Sequence, residues 1–122
     1  MKVRCERLES PTTGEPLEQS PLLTMGREYL VLSVIAEPGA RVLVQLIDDQ
    51  EKSPSIWDAR LFSSASTRIP HIWEIRIDAH GVLTLGPADW QRDGFWEAYF
   101  DGDPLAVAQF DGALSALNAE SD

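Results

Sequence analysis

Val3 and Cys5 alternate with Lys2, Arg4 and Glu6, a period of two that predicts a half-buried first strand over residues 2–8. "SPTTGEPLEQSP" follows, rich in Pro, Ser, Thr and Gly, and reads as a long surface loop. "GREYLVLSVIAE" is then apolar on both pleat faces, which predicts a central strand over Tyr29–Glu37. Pro38 and Gly39 suit the middle of a type II turn, so Arg41–Asp48 should return as the second arm of an antiparallel hairpin. "IWDARLFSS" is a shorter strand candidate. In "HIWEIRID", Trp73, Ile75 and Ile77 should point one way and Glu74, Arg76 and Asp78 the other, and the turn "DAHG" joins this strand to "VLTL".

The period changes after residue 86. Pro87 suits the first position of a short helical turn. "GFWEAYF" places Phe95–Tyr99, Trp96–Tyr99 and Trp96–Phe100 three or four residues apart, on one side of a helix. Asp103 is placed as N-cap and Pro104 as first residue of the last helix. Val107, Phe110, Leu114 and Leu117 recur along it at helical spacing and should dock it on the sheet. Gly112 lies within that helix and costs up to about 1 kcal/mol of propensity relative to Ala, which predicts a close packing contact there. The expected fold is α+β: a twisted antiparallel sheet, or a small SH3-like barrel, of five to six strands with C-terminal helices packed on it. Its 122 residues make a single domain, mainly β over 1–86 and mainly helical over 87–122.

Charge alters this picture more than composition does. The net charge is −10, and from Pro87 onward eight acids face the single base Arg92. Such a field repels nucleic acid and anionic membranes and draws in basic partners. The longest apolar run, near Tyr29–Ala36, is far short of the roughly 20 residues that span a bilayer. The first ten residues contain no secretory h-region, and a lone Cys5 forms no internal disulfide. These features fit a reducing cytoplasm.

Candidate chemistry is sparse. Asp101 and Asp103 resemble the start of a calcium loop, but the sixth and twelfth positions are Ala106 and Gly112, so the pattern fails. Capping by Asp103 explains the motif. His71 and His80 have no neighbour at metal-ligand spacing, and Cys5 reads as a buried structural thiol. No nucleophile elbow, phosphate loop or dinucleotide fingerprint is present. Neither the pair Asp48 and Asp49 nor the pair Asp101 and Asp103 shows the opposed geometry of a catalytic carboxylate pair. No metal, cofactor or enzymatic activity is therefore expected. What remains is an acidic surface bearing aromatic side chains, which suits a protein-binding module.

"LTMGREYLVLSV", "PSIWDARLFS", "RIPHIWEIRI" and "LGPADWQRDGFWEAYFDGDPLAVAQF", in this order, resemble a family of small bacterial immunity proteins of polymorphic toxin systems, of the contact-dependent and Rhs-type kinds. The resemblance runs from Met1 to Leu117 and is densest over Trp90–Phe110. It implies a cytoplasmic protein that binds and neutralises one cognate toxin. An acidic inhibitor would be steered to a basic active-site groove and compete there with an anionic substrate. Contact candidates, chosen from charge and aromatic character, are Asp48, Asp49, Glu51, Glu97, Asp101 and Asp103 for steering and Trp57 as an anchor. The alternative is a small-ligand-binding or adaptor domain without catalytic activity, and a hydrolase ranks last.

Overall fold

Antiparallel pairing builds two sheets from the first 87 residues in the computed structural model, which describes residues 1–50 and 53–121. The smaller sheet has the order β2-β1-β6, with β1 at Lys2–Cys5, β2 at Glu28–Leu30 and β6 at Phe62–Ser66. The larger has the order β5-β4-β3-β8-β7. Its members are β3 at Ser33–Ala36, β4 at Val42–Ile47, β5 at Pro54–Asp58, β7 at Trp73–Ile77 and β8 at Leu83–Pro87. The architecture is mixed α+β, as the patterning indicates. It is not a closed barrel, and the strands are more numerous and shorter than expected.

The chain divides strands by crossing between the sheets. Tyr29–Glu37, expected as one central strand, breaks at Val31 and Leu32. The Val31 N–H donates to Met1 O (3.0 Å), continuing the small sheet, and the Leu32 N–H donates to Gln45 O (2.8 Å), joining the large one. Both side chains are buried, so the run is apolar on both faces because it passes between the two sheets. "IWDARLFSS" likewise splits into β5 and β6 at a 3-10 turn, Ala59–Leu61. The Asp58 carboxylate caps this turn by accepting the Arg60 N–H (2.9 Å) and also pairs with the Arg60 guanidinium (3.1 Å). The guanidinium lowers the Asp58 pKa.

The two hairpins form in the expected places. β3 and β4 pair from Ser33–Gln45 to Ala36–Val42. Gly39 supplies the positive φ (66°) that a type II turn needs, and Ala40 N–H closes the turn on Glu37 O (3.1 Å). β7 and β8 pair from Trp73–Pro87 to Ile77–Leu83. The Asp78 carboxylate accepts N–H bonds from His80 (2.8 Å) and Val82 (3.0 Å), holding the connecting turn. In β7 only Trp73 reaches the core. Ile75 and Ile77 share its face, as the alternation predicts, but are 69% and 66% exposed. Alternation shows which residues share a face, but not how far along the strand the core extends.

Helical structure begins with a 3-10 turn, Ala88–Gln91, followed by α1 (Phe95–Phe100) and α2 (Pro104–Ala119). Asp103 caps α2 by accepting the Ala106 N–H (3.0 Å), with Pro104 in its first turn. Phe110 and Leu117 are buried, and Val107 and Leu114 are partly buried on the same stripe. Gly112 departs from expectation: a Cβ built on it would have nothing within 4 Å. The close approach is at Gly86 instead, where a Cβ would lie 2.9 Å from Ser33 Cβ. The buried side chains form one cluster running from Val3 in β1 to Leu117 in α2, and it includes Cys5, Leu46, Trp90 and Phe95. Among the described residues, no helix is long and apolar enough to cross a membrane.

Candidate functional site

Two neighbouring features set apart the segment Trp90–Leu105. The first is a row of acids. Gly94, at φ 78°, turns the chain into α1. Asp93 stands just before this turn, and Glu97 and Asp101 follow it at a four-residue interval, the spacing of one helix side. All three are exposed. Among the described residues the Glu97 and Asp101 carboxylates have no hydrogen-bonding or ion-pair partner, and the nearest cation to Asp93 is Arg76 at 4.0 Å. Phe100 and Leu105 are 61% and 63% exposed beside this row. Exposed acids and exposed apolar side chains thus occur together within residues 93–105.

The second feature is a cleft of about 740 Å³ between α1 with its approach and one face of the large sheet. Ser33 and Gln45, neighbours on β3 and β4, lie on the sheet side, where Ser33 Oγ donates to Gln45 Oε1 (2.8 Å). Ile35, Ile56 and Thr84 lie on the same side, with Trp96 and Phe100 opposite. Gln91 fastens the approach to the sheet. Its side-chain amide donates to Glu74 O and Gly86 O (2.9 Å each), and its carbonyl accepts from Arg76. Arg92 is likewise occupied, donating to Gln109 Oε1 (3.1 Å) and lying over the Phe95 ring. Both arginines at the cleft thus make internal contacts, Arg76 with about half of its side chain still exposed.

An aromatic cluster supports α1 from behind. Trp90 stacks on Phe110 at 4.9 Å and meets Trp96 edge-on at 5.6 Å, while Tyr99 lies 4.6 Å from Phe110. Trp90 is only 3% exposed, and its indole N–H, like that of Trp73, has no hydrogen-bond partner among the described residues. Buried indole N–H groups ordinarily find a hydrogen-bond partner. Here ring stacking holds Trp90 with its polar atom unsatisfied, a cost of about 1–3 kcal/mol that the surrounding contacts outweigh. Burial raises the Tyr99 pKa, and the charge of Asp111 adds to the shift.

The expected contact residues are dispersed. Asp48 accepts from Gln50 N–H (2.9 Å) and from Ser55 Oγ (3.2 Å), and Asp49 accepts from Thr24, Arg27 and Tyr29. Trp57 is half-buried against the core and donates to Ser55 Oγ (2.8 Å). Asp103 is engaged at the α2 cap, and Glu51 lies outside the described residues. Among the described members of this set, Glu97 and Asp101 alone have free carboxylates, four residues apart.

No family model, curated protein or solved structure matches the chain. The site therefore rests on its own geometry. Within it, Ser33, Gln45 and Phe100 were not marked as site residues in the sequence reading. The signal for the first two was present, since each is a polar residue interrupting an apolar strand, at facing positions of one hairpin. Among the described residues, no group of three or more His, Cys, Asp or Glu is placed to hold a metal ion.

Proposed function

We propose that this protein is an immunity protein that binds a basic toxin through the outer side of α1. The reading takes its partner class from the sequence resemblance and its surface from one observation: the Asp93–Glu97–Asp101 row, with uncommitted carboxylates at Glu97 and Asp101, beside exposed Phe100 and Leu105. The acids steer the encounter with a basic groove, and the apolar pair supplies the contact that water exclusion makes tight. The acids bonded at Asp48 and Asp49 contribute to the long-range field more than to contact.

The test uses the product of a toxin-like gene directly beside this one. Co-purification should weaken with added salt, and the double variant Glu97→Lys/Asp101→Lys should lose binding by about tenfold or more, because each reversal places like charges in contact. The double variant must also fail to protect cells from that toxin. Binding that is indifferent to salt and to the double reversal sinks the acidic-contact reading.

The cleft favours a second reading, binding of a small ligand, because its volume falls within the range of ligand pockets, roughly 300–1,000 Å³. A thermal-shift screen that finds stabilising small molecules, with the effect lost in Gln45→Leu, would place function there instead.

A further inference from the structure

The large sheet ends at β7, and that edge is unusually well suited to a second copy of itself. Cross-strand partners in an antiparallel sheet share a face. The registers therefore align Val42, Ala36, Leu83 and Ile77 in one row, and Val44, Val34, Leu85 and Ile75 in the next. Neither row contains a polar residue, although Ile75 and Ile77 are mostly open to solvent. Solvated sheet faces are ordinarily polar, and exposed edges are ordinarily blunted by proline, a bulge or repelling charge. β7 contains no proline, and its pairing with β8 has no register shift.

The phase of the ladder fixes which backbone groups face outward. Asp78 N–H donates to Val82 O (3.1 Å), so residues 78 and 82 form a hydrogen-bonded pair. Such pairs alternate along an antiparallel ladder. Arg76 with Thr84 and Glu74 with Gly86 are then the bonded pairs of β7 and β8, and the N–H and C=O groups of Ile75 and Ile77 point away from the sheet. The Trp73 N–H is used by Pro70 O (3.2 Å). The Gln91 amide reaches Glu74 O and Gly86 O from the cleft, leaving the edge open.

We infer that two copies of this chain pair through β7, antiparallel and centred on Ile75. Each Ile75 N–H then donates to the other copy's Ile75 carbonyl, and each Ile77 N–H donates to the opposing Trp73 carbonyl. On the apolar face Ile75 meets Ile75 and Ile77 meets Trp73, extending both aliphatic rows across the dimer. On the other face each Glu74 stands opposite the partner's Arg76, an opposite-charge pair at both ends of the two-fold axis. The charges that would guard this edge against an unrelated strand are complementary to themselves. Centring on Ile77 instead would run the pairing into the Asp78–Gly81 turn and use less of the strand. The inference is independent of the acidic surface on α1.

Sedimentation velocity across a concentration series tests it. The wild-type chain should dimerise and melt at a temperature that rises with its concentration, and Ile75→Lys should be a folded monomer whose melting temperature is independent of concentration, because that side chain is exposed. Glu74→Arg and Arg76→Glu each set like charges opposite one another in their own homodimers, and each should weaken self-association by about tenfold, since two cross-strand pairs reverse sign. Mixed in equal amounts they should form a heterodimer, because opposite charges then meet at both positions. A wild-type chain that stays monomeric, a dimer that survives Ile75→Lys, or a mixture that does not associate each overturns the inference.

Discussion

Removing the Asp49 carboxylate should destabilise the fold by about 2–3 kcal/mol, a magnitude that follows from its three donors. Thr24 Oγ1 (2.7 Å), Arg27 Nη1 (3.0 Å) and Tyr29 Oη (2.8 Å) all donate to it, and its own N–H donates to Leu22 O (2.8 Å). The side chain thus fastens the 20–27 loop to the end of β4. In Asp49→Ala, Thr24 and the half-exposed Arg27 guanidinium can turn to water, so together they account for about 1 kcal/mol at most. Tyr29 is only 6% exposed, and with the carboxylate gone its hydroxyl keeps the Thr24 N–H it accepts but loses the acceptor for its own proton. Stranding its O–H costs about 1–3 kcal/mol and dominates the total. Asp49→Asn keeps an acceptor in place and should cost about half as much. Urea unfolding followed by tryptophan fluorescence reads these differences, with the denaturant slope unchanged because the buried surface is the same.

Tyrosine ionisation provides an independent readout of the same contact. Burial raises the Tyr29 pKa above its ordinary value of 10.0, and the Asp49 carboxylate, which its hydroxyl contacts, reinforces the shift. Because the folded value exceeds the unfolded one, this contribution to stability is complete below pH 10 and disappears as pH rises through the folded value. Absorbance titration of Asp49→Asn should show this tyrosine ionising at lower pH than in the parent. An Asp49→Ala variant within about 0.5 kcal/mol of the parent, the level of an ordinary surface substitution, would refute the bracing role.

Gly112→Ala should stabilise by about 0.5–1 kcal/mol, because the added methyl meets open space and helix propensity improves; thermal unfolding measures it. Gly86→Ala should destabilise by about 1–3 kcal/mol in the same assay, since its Cβ would lie 2.9 Å from Ser33 Cβ. The Glu120 carboxylate accepts the His71 N–H (3.1 Å) and contacts the His71 ring, which lowers its pKa from the ordinary 4.5. Its stabilising contribution is therefore present above pH 4.5 and fades as pH falls through the lower folded value. Glu120→Gln should accordingly flatten the acid limb of a melting-temperature profile.

The sequence made local features readable where one residue type has one structural use. Pro38–Gly39 marked a turn, Asp103–Pro104 marked a helix start, and the Phe110–Leu117 spacing marked the buried side of α2. It misled where a local pattern has two tertiary explanations. An apolar run such as Tyr29–Glu37 suits one buried strand or two strands meeting at a sheet crossing, and only the hydrogen bonds of Val31 and Leu32 distinguish them. The alternation of β7 is equally regular whether its far end meets the core or the solvent. Gly112 and Gly86 show the same ambiguity in miniature: a glycine signals close approach only when something is there to approach.

The candidate site was half legible for a related reason. Composition counts every carboxylate equally, whereas the fold uses many of them. Glu6, Glu28, Asp48, Asp49, Asp58, Asp78, Asp103 and Glu120 each accept at least one intramolecular hydrogen bond. Three of these eight, Asp48, Asp78 and Asp103, accept backbone N–H groups at turns or a helix start, a use that local sequence announces. Four others, Glu6, Glu28, Asp49 and Glu120, answer side chains or backbone from distant segments, and no spacing rule reveals them. Asp58 is the intermediate case, since it caps a turn that appears only because the chain changes sheets there. Two of the carboxylates the fold leaves uncommitted, Glu97 and Asp101, sit on α1 and at its end, where a six-residue helix too short to be stable alone is held by its aromatic side against Trp90 and Phe110. Packing one side of so short a helix fixes the direction of the other. The aromatic residues of Trp90–Phe110 thus orient the acids, which makes Phe110→Ala a perturbation of the acidic row as well as of the core.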